Sequence, residues 1–236
     1  MPAARPYDAA MGRLAVILGS NALGPGGGEI AAAAAEHGAA VVQRHGSDGE
    51  HVLPHEIDHA ANLRPLVEQG CDRVLAIASV GSLRTDLPVG SFVCPDDFIA
   101  LHVSASIFAD ARAHSAPRFA AHWRAELLAA WTEGGEAPVD GGVYWQTIGP
   151  RFETPAEVRL IAAHADVVGM TIASECVIAG ELGLEYAAIC VVDNLANGLA
   201  AGELSVAEME ADRIINSTRV RDGLAAVLPR LGVIGR

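Results

Sequence analysis

What this sequence lacks narrows it first. Its 236 residues hold four cysteines, Cys71, Cys94, Cys176 and Cys190, with no CxxC pairing and no histidine at metal-ligand spacing. A disulfide framework or a metal site is therefore not expected; buried free thiols in a reducing, cytoplasmic setting are. Positive charge is scarce: 16 Lys and Arg stand against 29 Asp and Glu, a formal net charge of −13. That balance excludes the basic face on which nucleic-acid binding relies, and with it attraction to an anionic membrane. A small anion is not excluded, because a few local donors outweigh a distant, screened net charge. No apolar run approaches a membrane span, and the one near the start is too short and too late for a signal peptide. Aromatics make up only 5% while 51% of residues are hydrophobic, mostly alanine and valine, which suits a tightly packed α/β enzyme. The glycine run GPGGG (24–28) lacks the Lys-Ser/Thr of a P-loop, and the GxGxxG spacing is absent too, so it reads as a loop.

What is there alternates. Short β-rich runs at 13–18 (RLAVIL), 39–42 (AAVV), 73–78 (RVLAIA), 91–101, 143–148, 165–169 and 186–192 (YAAICVV) are predicted strands. Helices are predicted at 29–36, 56–68 with Gly70 closing it, 119–131, 155–163 with Thr154 as cap, 174–183 and 206–227. The pattern predicts an α/β fold: one domain over 1–236, with a mixed, mostly parallel central sheet flanked by helices. The stretch 103–140 is the least regular and reads as a lid or an oligomer contact.

In open α/β sheets, ligands sit beyond the carboxyl ends of strands. Those ends carry Gly19-Ser20-Asn21, Arg44-His45, Ser79-Val80-Gly81-Ser82, Arg151-Phe152-Glu153, Met170-Thr171 and Asp193-Asn194. Ser20, Arg44, His45 and Thr171 supply donors and positive charge for a phosphate or similar oxyanion. Phe152 and Met170 offer apolar surface to a ring or sugar, and Glu153 and Asn194 suit the edge of a heterocycle. Singly, each has a plainer reading as turn, core or cap, and His51, His55 and His59 include exposed side chains. The shared strand-end location raises the set above its members.

The blocks ILGS (17–20), RHG (44–46), HEIDHAAN (55–62), SVGSLRTDLPVGSFVCPDDFI (79–99), GPRFETPAE (149–157), ADVVGMTIASE (165–175) and YAAICVVDNLA (186–196) resemble the trimeric purine nucleoside phosphorylases. That family includes the 5'-methylthioadenosine and 5'-methylthioinosine phosphorylases. The resemblance implies a homotrimer, or a dimer of trimers, and phosphate as co-substrate with no metal or organic cofactor. By the same resemblance Ser20, Arg44, His45, Ala78 and Thr171 would bind phosphate, and Met170 would lie under the ribose. Phe152 would stack on the base, Glu153 and Asn194 would contact the purine, and His114 would reach a neighbouring subunit's site. Glu153 and Asn194 match the 6-oxopurine members: a carboxylate accepts from the N1–H of hypoxanthine or guanine and is repelled by adenine N1. Val206 falls where hydroxyl-preferring members place a histidine, which would favour a 5'-methylthio group. Ser174 departs from the family, standing where proline is usual.

The expected reaction is phosphorolysis of a purine nucleoside to free base and ribose 1-phosphate, with Asn194, Glu153 and His45 as its acting residues. Its rivals are 5'-methylthioadenosine phosphorolysis, nucleoside hydrolysis and purine binding without catalysis.

Overall fold

The structure is a computed structural model and describes residues 12–19, 27–46, 51–199 and 206–231. The strand β1 (Arg13–Leu18) leads to α1 (Gly27–Glu36) and β2 (Ala40–Gln43). Next come α2 (His59–Glu68), β3 (Cys71–Ser82), β4 (Phe92–Cys94), β5 (Asp97–Ile99) and α3 (Ala121–Glu133). The second half holds β6 (Val139–Asp140), β7 (Val143–Gln146), α4 (Pro155–Ile161), β8 (Val167–Gly169), α5 (Ile172–Glu181), β9 (Glu185–Leu195) and α6 (Val206–Val227).

Among the described residues, nine strands form one sheet in the order β5-β7-β8-β3-β9-β4-β6, with β1 joined to β3 and β2 to β1. Pairing is parallel except for β3 with β8 and β4 with β9, the mixed, mostly parallel sheet expected. Strand alternation divides the core in two. Leu14, Val16 and Leu18 of β1 face one layer with Trp123, Leu127 and Trp131 of α3 and Val220, Leu224 and Val227 of α6. Ala15 and Ile17 face the other, with Leu63 and Leu66 of α2 and Ile172, Cys176 and Ala179 of α5. A strand buried on both faces reads as a continuous apolar run, and RLAVIL is one.

The long strand β3 positions the site. One edge pairs with β9 along most of its length. On the other edge β1 pairs as far as Ile77 and β8 joins at Gly81. Between them Ala78, Ser79 and Val80 face a break in the ladder where neighbours change, the kind of place where α/β sheets bind ligands.

Several boundaries differ from expectation. α2 begins at His59, not at 56: the Asp58 carboxylate caps it by accepting from the Ala61 amide, and Pro54–Glu56 is a separate 3-10 turn. The run at 91–101 divides at Pro95 into β4 and β5, since proline cannot donate to a ladder. Gly27 and Gly28 begin α1 and do not belong to a loop; the rest of the expected glycine loop, 24–26, lies outside the described residues. β3 and β9 extend further than the apolar runs suggested, so Ser79, Val80, Gly81 and Ser82, and likewise Asp193 and Asn194, lie within strands and not beyond them.

Candidate active site

A cavity of about 370 Å³ opens at the break beside β3. Of the expected site residues, Arg44, His45, Ala78, Phe152, Glu153, Met170, Thr171 and Asn194 line it together. Ser20 and the side chain of Val206 lie outside the described residues. His114 does not line the cavity; it is exposed at the end of the 3-10 turn Ala111–Ala113.

One wall is cationic yet buried. The Arg44 Nε donates to Glu175 Oε1 at 2.5 Å and Nη2 to Oε2 at 2.9 Å, while Nη1 donates to the Ile77 carbonyl at 2.8 Å. A guanidinium has five N–H donors, so two are not taken by these bonds. Burial by itself would lower the Arg44 pKa, but the Glu175 carboxylate outweighs it and raises it. Burial likewise would lift Glu175, and Arg44 holds its carboxyl below the ordinary value. The Tyr186 hydroxyl also donates to Glu175 Oε2, at 2.6 Å. Gly19 permits this packing, because a Cβ there would strike the Arg44 guanidinium.

Thr171 sits at the N-terminus of α5 without using its side chain as a cap. The backbone N–H groups of Thr171 and Ile172 instead donate to the buried Tyr144 hydroxyl, at 3.2 and 3.4 Å. The Thr171 side chain is left to the cavity wall. Ser174, one turn on, has a structural reason: its N–H donates to Gln146 Oε1 at 3.0 Å and its hydroxyl accepts from Gln146 Nε2 at 2.6 Å. Proline has no N–H to make the first bond.

The opposite wall comes from the loop between β7 and α4. Glu153 is largely buried; its Oε1 accepts from the Thr147 hydroxyl at 2.7 Å, and its carbonyl accepts from Asn197 Nδ2 at 3.0 Å. Phe152 is 51% exposed at the cavity edge. Gly149, at φ 71°, lets the backbone pass over Met170, whose Sδ would lie 2.6 Å from a Cβ there. Arg151 holds this loop from outside: it donates to both oxygens of Glu157, at 2.7 and 2.8 Å, and to the Phe152 carbonyl. Glu157 is in turn the third helical residue of a capping box with Thr154. The charged pair thus fixes where the helix starts and where Phe152 and Glu153 emerge.

Sequence reasoning gave no role to the other lining residues, among them His51, Pro150, Ser79, Asp193 and Asn197. Ser79 and Asp193 stand among the strand-end residues, but nothing in the sequence says that they bond each other. His51 stacks on His45 with ring centroids 5.0 Å apart and planes 15° from parallel. Glu175, the partner that buries Arg44, carried no signal beyond its place in MTIASE.

Burial lowers the pKa of His45, whose Nδ1 lies 2.8 Å from the Val52 carbonyl, and of His59, whose ring lies 3.8 Å from Glu175. Both are neutral in the folded protein near pH 7. A depressed folded pKa contributes stability above the unfolded value, about 6.5, and that contribution is lost as pH falls through the lower folded value. The urea midpoint is expected to be lower at pH 5.5 than at pH 7.5, and His59→Gln to flatten that difference. A midpoint that does not move between those pH values would contradict this account.

Residues 15–229 match the sequence pattern of the Phosphorylase superfamily. A protein of Archaeoglobus fulgidus named "Probable 6-oxopurine nucleoside phosphorylase" is 42% identical over 161 residues, 68% of this chain and 66% of its own length. One of Methanothermobacter thermautotrophicus, named "Probable S-methyl-5'-thioinosine phosphorylase", is 38% identical over 172 residues, 72% of this chain and 60% of its own length. The chain thus covers slightly less than two thirds of these two relatives; a 6-oxopurine relative from Moorella thermoacetica, 33% identical, is matched over 92% of both chains. In fold, methylthioadenosine phosphorylase from Schistosoma mansoni in complex with adenine superposes with a TM-score of 0.78 at 21% identity, covering 94% of this chain and 93% of that one. With a superfamily match across nearly the whole chain and relatives above 30% identity, this protein belongs to the Phosphorylase superfamily.

Proposed function

We propose that this protein phosphorolyses purine nucleosides to the free base and ribose 1-phosphate, preferring 6-oxopurines, with inorganic phosphate as its only co-substrate. The carrying observation is that Arg44, Thr171, Glu153 and Asn194 line one cavity together. Phosphate would rest against Arg44, His45, Thr171 and the backbone at Ala78, with Ser20 completing the set. Met170 would lie under the ribose and Phe152 against the base.

In the reaction a phosphate oxygen bonds to C1' as the C1'–N9 bond breaks, and the bonding pair leaves with the purine. Positive charge gathers on the sugar and negative charge on the base. Catalysis is then electrostatic: the anion lies beneath the ribosyl cation while the Asn194 amide N–H not taken by the Leu195 carbonyl is shared between O6 and N7 of the departing base. Glu153, held by Thr147, accepts the N1–H that only a 6-oxopurine offers. The nucleoside is inosine, guanosine or 5'-methylthioinosine, in keeping with the names of the relatives. We assign the whole chain to one catalytic domain, cytoplasmic and in purine salvage, acting as a homotrimer in which His114 completes a neighbour's site.

A spectrophotometric screen of inosine, guanosine, methylthioinosine and methylthioadenosine, each with and without phosphate, tests this reading. Base release is expected from the 6-oxo substrates and only with phosphate. Release without phosphate would make it a hydrolase, and a preference for methylthioadenosine would reverse the base assignment. Binding without turnover would remove the enzyme altogether.

A further inference from the structure

The ladder between β3 and β9 slips by one residue at the cavity. Val80 pairs with Val192, but Gly81 pairs with Asn194, and Asp193 is left over as a bulge. Paired residues in a parallel ladder share a face, and successive residues alternate. In an unbroken register Asn194 would share the face of Ala188, Cys190 and Val192, which pack into the layer with α2 and α5. The slip sets it opposite Gly81, and its Nδ2 lies 3.4 Å from where a Gly81 Cβ would stand. A one-residue slip reverses the direction of every side chain after it, and a bulge is how a strand re-aims one.

The extra residue is stapled from two sides. One Asp193 oxygen accepts from the Ser79 hydroxyl on β3, and the other accepts from Asn216 Nδ2 on α6 at 2.7 Å. Asn216 Nδ2 also donates to the Val192 carbonyl at 3.1 Å, so a single amide holds both residues at the step. Asp193 and Asn216 are both buried. Asp193 lines the cavity beside Asn194, whereas Asn216 does not.

We propose that Asp193, fixed by Ser79 and Asn216, is the positioning residue that turns Asn194 toward the base, and so sets the preference for 6-oxopurines. This rests on the phosphorylase reading above. Its action runs through the backbone step, which is why a residue on α6 outside the cavity takes part.

The test compares Asp193→Ala, Asn216→Ala and the double variant by the ratio of kcat/KM for inosine to that for adenosine. That ratio does not depend on the fraction of folded enzyme, so loss of stability alone leaves it unmoved. Each single variant is expected to lower the ratio by about tenfold or more, as befits a misplaced buried hydrogen-bonding pair, with phosphate KM unchanged. The double variant is expected to lose little beyond Asp193→Ala, because both act through one contact. If Asp193→Ala does not fold, Ser79→Ala replaces it with the same expectation. An unchanged ratio in the single variants overturns the proposal, as does a fall confined to Asp193→Ala, which would mean direct contact with the base. A wild-type chain that releases no base from inosine, guanosine, methylthioinosine or methylthioadenosine would instead overturn the phosphorylase reading itself.

Discussion

Glu175→Gln is expected to lower the thermal unfolding midpoint by on the order of 10 °C, the largest stability loss among the changes considered. The pair it breaks is fully buried: the two side chains are 1% and 0% exposed. Removing one partner of such a pair costs roughly 3–5 kcal/mol, because the remaining charge has no solvent and no counter-charge. For a chain of this size each kcal/mol moves the midpoint by roughly 2–4 °C. The glutamine also sets an N–H₂ donor among groups that all donate: Arg44 Nε and Nη2 and the Tyr186 hydroxyl. The cost belongs to the orphaned guanidinium and not to the pair as such, since apolar replacement of a whole buried pair is often neutral. Arg44→Met with Glu175→Leu should therefore recover much of the lost midpoint while abolishing phosphate-dependent turnover. A single Glu175→Gln variant that melts with the wild type would refute the assignment of Arg44 as a buried, carboxylate-dependent cation.

Turnover should suffer most at Asn194. Asn194→Ala is expected to reduce kcat by about 10²–10³, the usual effect of removing one preorganised donor to developing charge, while phosphate KM stays near the wild-type value. The preorganisation is visible: one amide N–H donates to the Leu195 carbonyl at 2.8 Å, which orients the group before any base arrives. Asn194→Asp is expected to move selectivity toward 6-amino substrates, whose exocyclic N–H₂ suits a carboxylate. Steady-state kinetics over phosphate and nucleoside concentrations separate the two terms. Equal losses in kcat and phosphate affinity would count against a role confined to the leaving group.

The amino-acid sequence by itself determined the helices and strands that depend on local pattern. RLAVIL is a strand over the range expected, and α6 runs from 206 to 227 as its pattern predicted. Thr154 as cap and Pro155 at the first turn marked the start of α4, because a cap and a proline act within a few residues of the helix end. The cluster of Arg44, Thr171, Glu153 and Asn194 was legible too, since strand ends of an α/β sheet converge.

Only the tertiary structure decided what depends on pairing between distant residues. That Arg44 faces Glu175, 131 positions away, and that Ser174 answers Gln146, 28 positions away, leaves no local trace. The bulge at Asp193 is of the same kind: the run ICVVDNL looks continuous, and the slip exists only against β3 and under α6. Local propensity and periodicity act along the chain, whereas register, burial of charge and the aim of a side chain are set by what packs across from it.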